Sequence, residues 1–174
     1  LNEIENSCFD CVDIDGSLIQ EKVCCVQKMS TGFMTNLAKS YGMNIESKRI
    51  RGPYDENDFD ILRVYLFCKV DDLGKVSFKR ENYTIKYNGN NYEKAIEDIK
   101  SYKLFGYWNI QMNQLIRKGY ISTKNQKGMK TLYVYLPEEV AEKIHHSLPK
   151  HTTKRSPIWT RDYFNLCMDL NKLD

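Results

Sequence analysis

The 174-residue sequence lacks the features that would place a protein in a membrane or outside the cell. It has no apolar run that approaches the ~20 residues with which a helix crosses a bilayer. Its opening residues, LNEIENS, are polar and acidic, which predicts that no signal peptide is present. The six cysteines are therefore expected to be reduced, in the cytoplasm or in the nucleus of a eukaryotic host.

Proline and histidine are also scarce, with four and three residues. Low proline together with twelve tyrosines suits an AT-rich genome, such as that of a virus or mobile element. The histidines do not lie beside a serine or cysteine in a nucleophile pattern, and the chain has no Walker-type phosphate loop. These absences argue against the common hydrolase and nucleotidase classes, and we expect no cofactor.

Charge is present in ordinary amount but is unevenly placed. Charged residues make up 28% of the chain and apolar residues 41%, which is typical of a globular protein. Residues 1–100 carry 14 basic and 17 acidic side chains, whereas residues 101–174 carry 12 and 6. Residues 103–130 hold six basic side chains and no acidic one. A local excess of positive charge favours phosphate binding.

The N-terminal third predicts a β-hairpin followed by a short helix. In VDIDGSLI, apolar and acidic residues alternate up to Gly16, which allows the chain to reverse. Ser30 or Thr31 is suited to cap a helix that ends at Gly42. A basic and then turn-forming linker follows up to about residue 54.

The remainder predicts a series of helices and short strands. Apolar spacing indicates helices over residues 57–67, 95–102 and 108–118, the last of which ends at Gly119. The other predicted elements are a strand at KVSF, a hairpin arm at NYTIKYNGNNY, strands at YIST and TLYVYL joined by the loop KNQKGMK, a helix after Pro137, and an amphipathic C-terminal helix over IWTRDYFNLCMDLNKL.

Two stretches, LRVYLFCKVDDLGKVSF and NQLIRKGYISTKNQKGMKTLYVYL, resemble the winged-helix superfamily of helix-turn-helix proteins, and the first also resembles winged helices of plasmid and phage replication initiators. The resemblance implies an α+β fold. A winged helix over residues 55–148 would combine a helix-turn-helix with a β-hairpin wing. Residues 1–50 would form an N-terminal hairpin and helix extension, and residues 149–174 a linker and C-terminal helix.

In a winged helix, the second of the paired helices enters the DNA major groove and the wing contacts the backbone. The resemblance therefore implies sequence-specific binding of double-stranded DNA, in replication initiation, transcription regulation or segregation. Because asparagine, glutamine and arginine pair with base edges, we expect base contacts from Asn109, Asn113, Gln114 and Arg117. We expect phosphate contacts from Lys118, Lys124, Lys127 and Lys130. RNA would be attracted by the same charges.

A two-fold homodimer would match a palindromic site. The apolar residues predicted for its interface are Trp159, Tyr163, Phe164 and Leu166.

Three other interpretations remain open. In the first, the winged helix is a protein-interaction module that does not bind DNA. Asp13 and Asp15 in DIDGS also resemble the nucleophile loop of a haloacid-dehalogenase-type phosphatase, although Asp10 interrupts the apolar strand that such an enzyme needs before it. Cys8 and Cys11 have the spacing of half a zinc site, but Cys24-Cys25 does not supply the other half, so no metal is expected.

Overall fold

The computed structural model describes residues 9–26, 32–78, 100–146, 148 and 157–173. These residues form a mostly β structure. Its strands are β1 Cys11–Val12, β2 Leu18–Val23, β3 Cys25–Val26, β4 Phe33–Asn36, β5 Ala38–Met43, β6 Arg49–Pro53, β7 Ile61–Val70, β8 Val76–Phe78, β9 Lys103–Gln111, β10 Thr131–Val134 and β11 Phe164–Leu166. Its helices are α1 Met112–Arg117, α2 Glu138–Lys143 and the 3-10 turns Pro157–Tyr163 and Leu170–Lys172.

The largest unit is a six-stranded mixed sheet in the order β1-β2-β7-β9-β11, with β8 also paired to β7. β7 lies at its centre, and its residues alternate between a buried apolar face and a half-buried face that also carries Arg63 and Lys69. Its neighbour β9 runs antiparallel, whereas β2 runs parallel to it. A parallel pair requires a crossover, and the chain between β2 and β7 supplies one that holds four further strands.

The main core lies on one face of this sheet. Leu62, Val64 and Leu66 of β7 and Trp108 of β9 are all buried on that face. A second sheet, in the order β10-β4-β3, contributes Phe33, whose ring centroid is 5.9 Å from that of Trp108. Burial of each large side chain stabilises the fold by roughly 1.5–3 kcal/mol. The Trp108 indole N–H donates to the carbonyl of Tyr135 at 3.0 Å, so its polar group is satisfied.

The strands β5 and β6 form a separate two-stranded hairpin, which we call the arm (residues 38–53). It leaves the second sheet directly after β4. The side chains of residues 40–51 are all exposed. The arm therefore adds little to the core.

The winged helix predicted from the sequence is wrong. The helix expected over residues 57–67 falls largely within β7, the one expected over residues 32–42 falls on β4 and β5, and residues 108–111 of the one expected over 108–118 are the end of β9. The expected wing is also absent from the described residues, because β10 pairs with β4 and not with residues 120–123. The C-terminal segment forms a 3-10 turn, a strand and another 3-10 turn in place of an amphipathic α-helix.

Several local predictions are confirmed. The chain reverses between β1 and β2 at Gly16, whose φ is +83°. Helix α1 ends just before Gly119, and α2 begins after Pro137 with two glutamates in its first turn, where the helix dipole favours them. KVSF contains β8.

The predicted hairpin over residues 82–92 lies outside the described residues, as do Cys8, His151 and most of the helix over residues 95–102. Among the described residues, no helix is long and apolar enough to cross a membrane. The main sheet contains strands from all three segments expected from the sequence, residues 1–50, 55–148 and 149–174.

Candidate functional site

Positive charge is concentrated on the chain from the last residue of α1 onward, which we call the basic loop (residues 117–130). Five cationic side chains of this loop are exposed: Arg117, Lys118, Lys124, Lys127 and Lys130. The surrounding sequence from residue 101 to residue 137 contains no aspartate or glutamate. The loop is therefore a local source of positive potential.

The start of the loop is shaped by the C-terminal cap of α1. The N–H of Tyr120 donates to the carbonyl of Leu115 at 2.9 Å, and the N–H of Gly119 donates to Ile116 at 3.0 Å. This pair of hydrogen bonds is the Schellman motif, which needs a left-handed residue directly after the C-cap of the helix. Gly119, with φ +83°, supplies it.

The rest of the loop is held by hydrogen bonds to its own interior. The amide of Gln126 donates to the carbonyls of Ile116 and Ile121, both at 2.9 Å. The backbone N–H of Gly128 donates to the Ser122 hydroxyl at 3.0 Å. Because both sides of the loop are tied to α1 and its cap, the lysines project from a defined backbone.

The cations of the loop are not neutralised by neighbouring acids. None of the five forms a salt bridge with another described residue. Lys118 has an aromatic partner, since its ammonium lies 5.7 Å from the centre of the Trp159 ring. In contrast, Lys48 in the arm is paired with Glu46 at 2.7 Å. The loop charges are therefore available to an anion from solution.

The arm begins and ends next to the basic loop. At its first strand, the N–H of Leu37 donates to the carbonyl of Lys130 at 2.9 Å. At its second strand, the N–H of Ser122 donates to the carbonyl of Tyr54 at 2.8 Å, and Asp55 forms a parallel bridge with Ser122. Both ends of the arm are thus fastened to the loop, so the two features form one contiguous surface.

A charged cluster also locks the base of the arm. The Lys39 ammonium lies 2.6 Å from carboxylate oxygens of both Asp55 and Asp58. Burial alone would lower the pKa of Lys39, but the hydrogen bonds to the two carboxylates outweigh burial and raise that pKa above its ordinary value. The ammonium also lies 4.9 Å from the centre of the Tyr41 ring. This lysine is engaged in holding the arm, and we do not count it among the available cations.

The structure separates the residues expected to read base edges. Asn109 lies on β9, where its side-chain oxygen accepts a hydrogen bond from Arg63 Nε at 2.9 Å. Asn113 is exposed and Gln114 half-buried on α1, with Arg117 at its last position. Because α1 has only six residues and follows β9 without a turn, it does not reproduce the recognition helix.

Two arginines at this surface were missed by the sequence reasoning. Arg49 and Arg51 are exposed on β6 of the arm, and neither forms a salt bridge with a described residue. The stretch SKRIRG carried the signal, since its alternation of charged and apolar residues is typical of a strand. The sequence predicts a linker here instead, because no core pattern surrounds this stretch.

The acidic candidates have structural roles. Asp13 accepts hydrogen bonds from the backbone N–H groups of Asp15 at 3.0 Å and Ser17 at 2.8 Å, which closes the turn before β2. Asp10 accepts bonds from the Gln20 amide and from the N–H of Glu21. These hydrogen bonds within the chain explain both carboxylates without a phosphorylated substrate.

The thiols and imidazoles do not converge. No group of three or more possible metal ligands occurs among the described histidines, cysteines and acids. Burial, and then the neighbouring Cys25, raises the pKa of the Cys24 thiol, which disfavours the thiolate that metals bind. His146 stacks on Phe33 with ring centroids 5.0 Å apart, so it acts as a packing residue.

The residues proposed for a dimer interface pack within the chain. Phe164 lies 4.7 Å from Trp108, and Trp159 lies 5.8 Å from Tyr163 and 6.1 Å from Tyr120, measured between ring centroids. Leu166 is exposed on β11. The homodimer remains a prediction without a defined interface.

Comparison with known proteins adds little to this picture. No protein-family model matches the chain, and no curated protein matches it. A solved structure described as "Crystal Structure of MepB" is similar over 88% of this chain and 74% of that one, with 13% sequence identity and a TM-score of 0.49. At that level of similarity nothing about function follows from it.

Proposed function

We propose that this protein binds double-stranded DNA through phosphate contacts made by the basic loop. The observation that supports this most is a set of five exposed cations on a hydrogen-bonded loop, none of which forms a salt bridge with a described residue. Phosphate contacts from lysine and arginine position a protein on a duplex without reading its sequence. The proposal does not require a recognition helix. It would place the protein in the cytoplasm, or in the nucleus of a eukaryotic host.

The fixed backbone of the loop favours a polyanion over a single small anion. Consecutive phosphates line a duplex, so cations spread along a loop can each meet a different phosphate. A small anion would instead require donors that converge on one point. Replication initiation, transcription regulation and segregation all use duplex binding of this kind.

The test is duplex binding by a variant in which Lys124, Lys127 and Lys130 are alanine. Each lost phosphate contact lowers the slope of log affinity against log salt by about 0.9, so the slope should fall by up to about 3. Binding should be measured by fluorescence anisotropy of a labelled duplex over a series of salt concentrations. Parallel measurements on single-stranded DNA and duplex RNA identify the preferred polymer.

A matched control removes the same charge from elsewhere. Lys75, Lys143 and Lys172 are exposed and lie outside the basic loop, so their triple alanine variant has the same net charge as the loop variant. It should keep the wild-type slope. Equal losses in the two variants would mean that only total charge matters. Absence of binding to any duplex at low salt would overturn the proposal and favour a protein-interaction module.

A further inference from the structure

The arm carries exposed apolar side chains that its own structure does not explain. Ile45 is fully exposed, and Met43 and Ile50 are 64% and 46% exposed. Hydrophobic residues gathered on one projecting element usually mark a contact surface. The arm therefore presents apolar groups near its tip that a partner could bury.

The tip is a shaped turn. The side-chain oxygen of Asn44 accepts hydrogen bonds from the N–H groups of Glu46 at 3.1 Å and Lys48 at 2.8 Å, and the N–H of Asn44 donates to the carbonyl of Lys48 at 2.9 Å. Ser47 adopts φ 58° to complete the turn. Ile45 lies inside this bonded turn, so its side chain is presented at the end of the arm.

The charges beside the tip select the partner. Arg49 and Arg51 alternate with Ile50 on β6, while the single acid, Glu46, is paired with Lys48. Arginines next to an apolar tip complement a polyanion that can also open an apolar gap. A DNA duplex does both, because its backbone is charged and its base steps can unstack.

We infer that the arm lies in the minor groove of the DNA and inserts Ile45 between two base pairs, so that the protein bends the duplex. This inference rests on the proposed function and adds to it a mode of binding. Isoleucine and methionine are among the side chains that act as such wedges, and arginine is a common contact of proteins that bind the minor groove and kink the duplex. The basic loop, fastened to the base of the arm, would hold the flanking phosphates.

The length of the arm fits this placement. Six residues of β5 at about 3.3 Å each span roughly 20 Å. The minor groove is about 7.5 Å deep, so the tip can reach its floor while the base of the arm remains outside the backbone. A kink towards the major groove widens the minor groove for the two strands.

The experiment measures DNA bending by energy transfer between dyes at the two ends of a short duplex. Wild-type protein should shorten the distance between the ends. Ile45→Ala should abolish the shortening and leave the salt slope unchanged, because no phosphate contact is lost. Arg49→Ala with Arg51→Ala should lower the slope by about 1.8, because two cations that neutralise backbone charge are lost. Leu73→Ala, which removes a 79% exposed side chain outside the arm, is the matched control and should bend DNA like wild type.

The outcomes separate this inference from the proposed function. Binding with an unchanged bend in Ile45→Ala, or binding without any bend in wild type, overturns the wedge and leaves duplex binding intact. Failure of wild type to bind any duplex overturns both. Two further experiments measure binding to vesicles of anionic phospholipid and sedimentation of the free protein. If Ile45→Ala weakens vesicle binding or self-association while DNA bending persists, the tip serves a membrane or a second copy, and the inference is wrong.

Discussion

Two glycines of the basic loop differ in what an added methyl group would meet. At Gly119 the space is empty, but φ is +83°. At Gly128 a Cβ atom would lie 2.5 Å from the carbonyl oxygen of Tyr120 and 2.7 Å from the nitrogen of Ser122. The first position is restricted by conformation and the second by contact with backbone.

We therefore predict different losses on substitution by alanine. Gly119→Ala should lower the free energy of unfolding by about 1 kcal/mol, the usual penalty for a left-handed L-residue. Gly128→Ala should lower it by up to about 3 kcal/mol, because backbone atoms must move apart. Urea denaturation of both variants measures the difference. Equal losses would mean that the loop yields at Ser122.

Lys39 links stability to pH at the base of the arm. Its folded-state pKa is raised above the unfolded value of about 10.4. The stabilisation by its contacts with Asp55 and Asp58 is therefore fully present below about pH 10, and it is lost as the pH rises through the folded-state pKa.

Lys39→Met should accordingly lower the free energy of unfolding at pH 7 by about 1–3 kcal/mol, between the values for exposed and buried ion pairs. The difference in the free energy of unfolding between wild type and variant should stay constant up to about pH 10 and become smaller above it. Urea titrations of both proteins from pH 7 to about pH 11.5 provide the comparison. A difference in the free energy of unfolding that grows above pH 10 would contradict the predicted direction of the pH dependence.

At the scale of elements, the pairing of β11 with β9 depends on close approach at Gly106. A Cβ atom there would lie 2.5 Å from the carbonyl oxygen of Asn165 and 2.4 Å from the Phe164 ring. The backbones of the two strands meet at this position, since Gly106 pairs directly with Leu166. Only glycine leaves the required space.

Gly106→Ala should therefore detach β11 and the 3-10 turn before it. We expect a loss of about 1–3 kcal/mol in the free energy of unfolding and faster trypsin cleavage after Arg161. Mass spectrometry of a timed digest identifies the cut. Gln111→Ala, an exposed position on the same strand, should be digested like wild type. Unchanged cleavage in Gly106→Ala would show that β11 tolerates the displacement.

Local signals allowed some elements to be predicted from the sequence, and tertiary context decided the others. Gly16 lets the chain reverse and Gly119 ends a helix, and both act through the backbone freedom of glycine. Their roles could therefore be predicted from the sequence. The strand from Ile61 to Val70 could not be predicted in this way, because apolar residues on both faces of a central strand also produce the three- and four-residue spacing of a helix. Its β-branched and aromatic residues favoured the strand.

The junction at Gln111 explains another error. Trp108 and Ile110 alternate as strand residues, whereas Met112 and Leu115 follow helical spacing. Taken together, the apolar residues imitate one continuous helix. Only the pairing of β9 with β7, which is remote in sequence, shows where the strand ends.

The candidate site was partly predictable for a related reason. The lysines of the basic loop are close in sequence, so their shared charge was visible without a fold. The arm was not, because exposed strands lack an apolar face that would identify them. Its relation to the loop depends on backbone bonds across 68 to 93 positions, between Tyr54 and Ser122 and between Leu37 and Lys130.

At the scale of the whole molecule, we expect the arm to be an addition to a body that folds without it, since residues 40–51 are exposed. Replacing residues 40–51 by an Asn-Gly turn should change the free energy of unfolding by no more than about 1 kcal/mol, because all of the removed side chains are exposed. Urea denaturation should remain a single cooperative transition. Loss of that cooperativity would show that the arm contributes to the core after all.

The last described strand has a consequence for the protein's biosynthesis. Leu173 is buried in the core, and Met168 contacts Cys68 at the centre of the main sheet, with the two sulfurs 3.5 Å apart. The core therefore cannot close until translation has passed Leu173 and this segment has left the ribosome. A nascent chain that stalls before β11 is made presents β9 as an open edge, which other chains can pair with. A premature stop before β11 would thus be expected to yield aggregates, not a shortened but folded product.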